Sequence, residues 1–206
     1  MRVFVSGGAG SIGSHTLVQL LRKGADVMSF DNYANSAPEA LARVKRLAQS
    51  DFSIVEGNVC DPPALDRALE GFAPDAVIHF AGLKAVGESA DKPLAYYENN
   101  ISGSLALLNA MDKTGCRKIV FSSSATVYNP NQPTPFVEEA TLGPINPYGR
   151  TKHFVEEIIR DWCAVDPARA ASVLRYFNPV GAHASGDIGE DPVGIPNNLV
   201  PYISKV

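Results

Sequence analysis

Tyr148 and Lys152, four positions apart in the last third of the 206 residues, are a pair that could do chemistry. On a helix that spacing puts both side chains on one face. A free phenol titrates near about 10, too high for a base at neutral pH. A nearby ammonium, together with a positively charged nicotinamide ring, favours the phenolate. Bringing the phenol to about 7 takes ~4 kcal/mol, at ~1.36 kcal/mol per unit. One close cation in a partly dry cleft supplies much of that. Ser124, at the end of an expected strand, adds a hydroxyl to hold the reacting oxygen. The trio suits removal of a proton from a hydroxyl while a hydride leaves the carbon that bears it.

That chemistry needs a dinucleotide held in place, and the first residues predict how. Val3 to Val5 read as a buried strand. A turn with Gly7, Gly8, Gly10 and Gly13 follows, then a helix with Ile12, Leu17, Leu20 and Leu21 on its core side. Such a turn bends sharply and lets a phosphate approach bare backbone N–H groups, while the helix start adds partial positive charge. The second strand, Asp26 to Phe30, ends at Asp31, eighteen positions after Gly13. A carboxylate there accepts both ribose hydroxyls of an adenosine and repels a 2′-phosphate, so the expected cofactor is NAD and not NADP.

Further strands and helices must carry the rest. Asn32 to Ala37 are polar and are expected to close over the adenosine, and a charged helix runs from Pro38 to Gln49. After the third strand, Phe52 to Val55, Asn58 and Val59 stand where they can edge the adenine. Pro62 opens the next helix. The fourth strand and its exit loop span Asp75 to Lys84; His79 reads as a hydrogen-bonded core histidine, and Lys84 as a ligand of the ribose beside the nicotinamide. A long helix is expected from Pro93 to Thr114, with Leu94, Tyr97, Ile101, Leu105 and Leu108 as its stripe and Asn99 and Asn100 near the cofactor. A fifth strand from Lys118 leads to the hydroxyls Ser122 to Ser124. A last long helix from Pro147 to Ala164 carries Tyr148 and Lys152, and a sixth strand spans Ala171 to Phe177. Residues 199–206 read as the start of one more helix. The fold class is therefore α/β: a doubly wound, Rossmann-type parallel sheet with helices on both faces.

Composition bounds the function. A net charge of −4 argues against a nucleic-acid or anionic-membrane binder. No apolar run approaches a membrane span. The chain enters its first strand at once, leaving no room for a signal peptide. Cys60, Cys116 and Cys163 fit neither a disulfide framework nor a metal site, and suggest reduced cysteines in a cytoplasm. The helices from Pro93 and Pro147 carry apolar residues on more than one face: Leu107 and Leu108 on the first, Phe154, Ile158 and Ile159 on the second. That pattern predicts a homodimer surface.

Gly7-x-x-Gly10-x-x-Gly13, Tyr148-x-x-x-Lys152 and the strand-end serine together resemble the extended short-chain dehydrogenase/reductase superfamily. Longer strings narrow the resemblance to its UDP-glucose 4-epimerase family. They run from Phe80 to Ser89, Phe121 to Tyr128, Leu174 to His183, Gly186 to Asp191 and Gly194 to Leu199. The resemblance implies an isomerase of galactose metabolism, with Tyr148 as base and acid, Lys152 tuning it, and Ser124 on the sugar's reacting oxygen. It implies that NAD is lined by Gly7, Gly10, Ser11, Ile12, Gly13, Asp31, Asn32, Asn35, Ser36, Asn58, Val59, Phe80, Ala81, Gly82, Leu83, Lys84, Asn99, Ser124, Tyr148, Lys152 and Phe177. A UDP-sugar substrate would meet Ser124, Tyr148, Asn178, Asn197 and Asn198. Three positions depart from the family: Ser11 where tyrosine is usual, Asn58 where aspartate is, and Asn129 where glycine is. Family members continue beyond Val206, so residues 1–177 are expected to form the NAD-binding domain and 178–206 a truncated start of the nucleotide-sugar region. Two alternatives stand beside this: a non-catalytic NAD-binding fragment, and another nucleotide-sugar enzyme such as a dehydratase. A dehydratase needs a further acid–base pair after the serine strand, where this chain has Ala125.

Overall fold

The structure, a computed structural model, describes residues 1–190 and Ile203. Six parallel strands form one sheet in the order β3-β2-β1-β4-β5-β6: β1 Arg2–Ser6, β2 Asp26–Asp31, β3 Ser53–Glu56, β4 Ala76–His79, β5 Lys118–Ser124 and β6 Ala170–Tyr176. Apolar runs such as Val3-Phe4-Val5, all under 2% exposed, make the central strand; covered on both faces, it needs no polar alternation. From β3 the chain crosses to the other side of β1 to lay down β4. The order thus reverses between β1 and β4, and a crevice opens there above the strand ends.

Helices cover both faces. α1 Ser11–Arg22 and α2 Pro38–Ala48 bury Leu17, Val18, Leu21, Leu41 and Val44 against one. α3 Pro62–Phe72, α6 Gly103–Thr114 and α7 Pro147–Ala164 bury Leu65, Leu69, Leu107, Met111, Val155 and Ile159 against the other. On α1 the buried face is Gly13, Ser14, Leu17, Val18 and Leu21; the expected Ile12 and Leu20 are only half-buried.

The helix expected from Pro93 is not uniform. α4 Val86–Asp91, which periodicity did not reveal, precedes it. α5 Pro93–Tyr97 then runs through a π-helical turn, Glu98–Ser102, into α6. The π turn inserts an extra residue and shifts the helical phase. The expected stripe fails at Leu94, 80% exposed, and Leu105, 41%, but holds at Leu108, which is buried, and Ile101, which packs on the core; Tyr96, Asn100, Ser104 and Leu107 face inward beside them. The expected start of a helix at 199–206 lies outside the described residues except for Ile203. Among the described residues no helix is long and apolar enough to cross a membrane.

Candidate active site

The glycine turn is built by close approach. Gly7 has φ +74°, and a Cβ on Gly13 would stand 2.2 Å from the Gly7 carbonyl oxygen. Only glycine at position 13 lets α1 start this near β1. No side chain caps the start of α1, and no acidic residue lies in its first turn. A Cβ on Gly10 would meet only the Gly7 carbonyl oxygen, at 3.5 Å, so the protein itself leaves room there and the bare backbone faces the crevice. This is a helix N-terminus fit for an anion.

Asp31 closes the other side of the turn. Its carboxylate accepts from the Ala9 N–H at 2.9 Å, the Tyr33 N–H at 2.9 Å and the Ser36 hydroxyl at 3.0 Å. One side chain thus ties the glycine turn to the loop that begins at Asn32. Asn32, Asn35 and Ser36 border the same cleft as Asp31. Val59 borders it too, but Asn58 does not. The Asn58 side-chain carbonyl accepts from the Cys60 N–H at 2.9 Å and caps its own turn, between Gly57 and Val59, which both line the cleft.

After β4, Phe80, Ala81, Gly82, Leu83 and Lys84 line the crevice floor. Lys84 borders the cleft, and its ammonium also pairs with Glu190 at 2.7 Å. Asn99 borders the cleft and donates to Asn100 at 2.9 Å. Asn100, buried on the π turn, clamps Leu83 by accepting from its N–H at 2.8 Å and donating to its carbonyl at 3.0 Å. It also donates to Thr151 at 3.0 Å, whose hydroxyl donates to the Tyr148 carbonyl at 2.7 Å. Asn100 and Thr151 therefore join the β4 loop to the helix of Tyr148 and Lys152. His79 is the core histidine expected. It is bonded to the Ser6 hydroxyl at 2.6 Å and the Ser104 hydroxyl at 3.0 Å, and burial pushes its pKa down to about 3.

At the far end stand Tyr148, Lys152 and Ser124. Asn146 caps α7 by accepting from the Gly149 N–H at 2.8 Å, and Pro147 suits the first turn. A Cβ on Gly149 would lie 2.6 Å from the Thr126 carbonyl oxygen; glycine lets the start of α7 press on the turn after Ser124. The Ser124 oxygen accepts from the Thr126 N–H at 3.2 Å and hydroxyl at 3.0 Å, and its own hydroxyl is within hydrogen-bonding reach of the Tyr148 phenol. Lys152 is buried, its ammonium 5.9 Å from the Tyr148 ring centre, and donates to the Ser122 carbonyl at 2.8 Å. Burial lowers its pKa to about 8. The expected depression of Tyr148 by the chain's own groups is corrected: burial raises the phenol, and Ser124 opposes this only in part. The burial that excludes water also disfavours the phenolate, and the ammonium is turned to a carbonyl.

Gly7, Gly10, Ser11, Ile12, Gly13, Ser124, Tyr148, Lys152, Phe177 and Asn178 border this one cleft, of about 1330 Å³, with the residues placed there above. Asn197 and Asn198 lie outside the described residues. One buried pair beneath the site was not anticipated: Glu156, on α7 one turn past Lys152, accepts from Arg175 of β6 at 2.7 and 3.0 Å and from the Ser123 hydroxyl. These residues make one cleft lined both by an anion-ready turn and by a Tyr–Lys–Ser cluster. Residues 3–203 match the model of the NAD dependent epimerase/dehydratase family.

The chain belongs to that family.

Similarity to members of the epimerase/dehydratase family extends along the whole chain. It is 52% identical over 206 residues to UDP-glucose 4-epimerase of Bacillus subtilis, covering 100% of this chain and 61% of that protein. With the Bos taurus UDP-glucose 4-epimerase the identity is 52% over 212 residues, with the same coverage of 100% and 61%. The chain thus spans about three-fifths of the length of these curated relatives. A crystal structure of UDP-glucose 4-epimerase from Bifidobacterium longum, in complex with NAD⁺ and UDP, superposes with a TM-score of 0.97 at 51% identity, covering 100% of this chain and 62% of that one. Two of the departures from the family pattern lie away from the cleft lining, Asn58 and Asn129; Ser11 borders it.

Proposed function

We propose that this chain binds NAD and carries the reacting groups for interconversion of UDP-glucose and UDP-galactose at C4 of the sugar. The observation that carries the reading is that Tyr148, Lys152 and Ser124 line the same cleft as the uncapped start of α1. NAD supplies the hydride acceptor and, as a cation, favours loss of the phenol proton. Ser124 donates to the sugar's reacting oxygen. Tyr148 Oη takes the proton from that oxygen and later returns it. Lys152 holds the ribose beside the nicotinamide and keeps a positive charge near the phenol at neutral pH.

For the cofactor, the α1 start receives the diphosphate, and Asp31 faces the adenosine ribose. Asn32, Asn35, Ser36 and Val59 surround the adenosine, while Phe80 to Lys84, Asn99 and Phe177 line the remainder. Asn178 begins the nucleotide-sugar side. We expect clear preference for NAD(H) over NADP(H), because a 2′-phosphate would face the Asp31 carboxylate and lose about one to several kcal/mol. Calorimetric titration of the purified chain with both cofactors checks this. Equal affinities would overturn the assignment of Asp31.

The expected homodimer rests on a corrected surface. Leu107, Leu108 and Ile159 face the core, whereas Leu94, Leu105 and Phe154 are exposed at 80, 41 and 45%. Tyr97 and Phe154 stack across the two helices with ring centres 6.4 Å apart. An apolar patch of this kind, shared by two parallel-packed helices, suits a second copy. Light scattering should give twice the mass of one chain, falling to one chain on Phe154→Glu. A monomeric wild-type protein would refute the dimer.

A further inference from the structure

Residues 182–190 follow β6 without forming helix or strand, yet side chains fasten them at three separate places. Ile188 is 5% exposed and belongs to the apolar cluster that α1 and α2 make with the sheet. Arg43 of α2 donates to the Asp187 carbonyl at 2.8 Å. Glu190 pairs with Lys84, on the loop after β4, at 2.7 Å. The anchors thus come from the adenosine side and from the opposite wall of the crevice. Between them, Asp187 to Glu190 border the same cleft as Gly10 and Ser11. A ligand lying along the α1 start would share the cleft with this segment.

We propose that residues 182–190 form the outer wall of the dinucleotide site and set how fast the cofactor leaves. Ile188 is the plug and the Lys84–Glu190 pair is the latch. This rests on the NAD reading above. Lys84 then acts through the wall as well as along the cleft. The latch is partly exposed, with side chains 51 and 20% accessible, so salt screens it and release quickens as ionic strength rises.

The test loads the 206-residue chain with NADH, chases with excess NAD⁺, and follows loss of bound-NADH fluorescence. Glu190→Gln should release NADH about two- to fivefold faster, as expected for one partly exposed ion pair. Ile188→Ala should release it about tenfold faster or more, since the plug is removed from an apolar cluster. Glu70→Gln, an exposed position on α3 outside the cleft lining that removes the same charge, should leave the rate unchanged. Unchanged release from Glu190→Gln and Ile188→Ala, with NADH still bound, overturns the wall and leaves the NAD reading standing. Failure of the wild-type chain to bind NADH overturns both. Glu190→Gln alters one surface carboxylate, so it keeps the test decisive if Ile188→Ala fails to fold.

Discussion

Tyr148→Phe is expected to cut turnover of UDP-galactose by about 10²–10⁴-fold in a form of the protein extended to the length of its relatives. The substitution removes one oxygen and leaves the ring, its packing on Tyr96 at 6.5 Å, and the rest of the cleft. Cofactor binding should persist, which separates loss of the proton acceptor from loss of the site. The 206-residue chain alone should turn over little or nothing even with Tyr148 intact. Its relatives carry further length, and binding energy remote from the reacting carbon holds a substrate while the sugar turns. The measurement compares the chain, the extended form and the extended Phe variant. Near-normal turnover by the Phe variant would show that another group takes the proton. Near-normal turnover by the chain alone would show that the cleft described here suffices for the substrate.

Glu156→Ala is expected to destabilise the fold by about 3–5 kcal/mol, measured by denaturant unfolding. The carboxylate is buried, with 2% of its side chain accessible, and Arg175 opposite it has 18%. Removing the carboxylate leaves a guanidinium with its main partner gone in a poorly hydrated place, and strips the Ser123 hydroxyl of its acceptor. The remaining Arg175 contacts, to the Tyr128 hydroxyl at 3.2 Å and the Glu138 carbonyl at 3.0 Å, carry no compensating charge. Glu156→Gln keeps the shape and an acceptor, so it should cost less than Glu156→Ala. Equal losses for the two would mean that charge pairing contributes nothing there.

Local signals carried much of this fold. Gly7, Gly10 and Gly13, the carboxylate at Asp31, and the four-residue step from Tyr148 to Lys152 each declare themselves over a short span, because a turn or one helical face fixes the spacing. The strands were legible for the same reason. What escaped depends on distant partners. Glu156 and Arg175 read as two surface charges until β5, β6 and α7 are packed together. Asn100 looks like a polar break in a helix, yet it is buried because a π turn rotates it toward Leu83 and Thr151. The same turn moved the true apolar face away from Leu94 and Leu105. For Tyr148, spacing reports proximity to Lys152 but not the desolvation that accompanies it, nor the carbonyl that claims the ammonium. Asn58 is placed by its position after a strand, and its side-chain carbonyl also ties its own turn, a bond no spacing announces.

Asp31 has a consequence for how such a protein can change over generations. Its carboxylate holds Ala9, Tyr33 and Ser36 through three hydrogen bonds. The atoms that would discriminate between cofactors are therefore the atoms that shape the pocket's rim. A single replacement at this position, chosen to admit a phosphorylated ribose, would also release the glycine turn from the loop after β2. On the proposed reading, a switch of cofactor at this position therefore has to replace three hydrogen bonds as well as remove a charge.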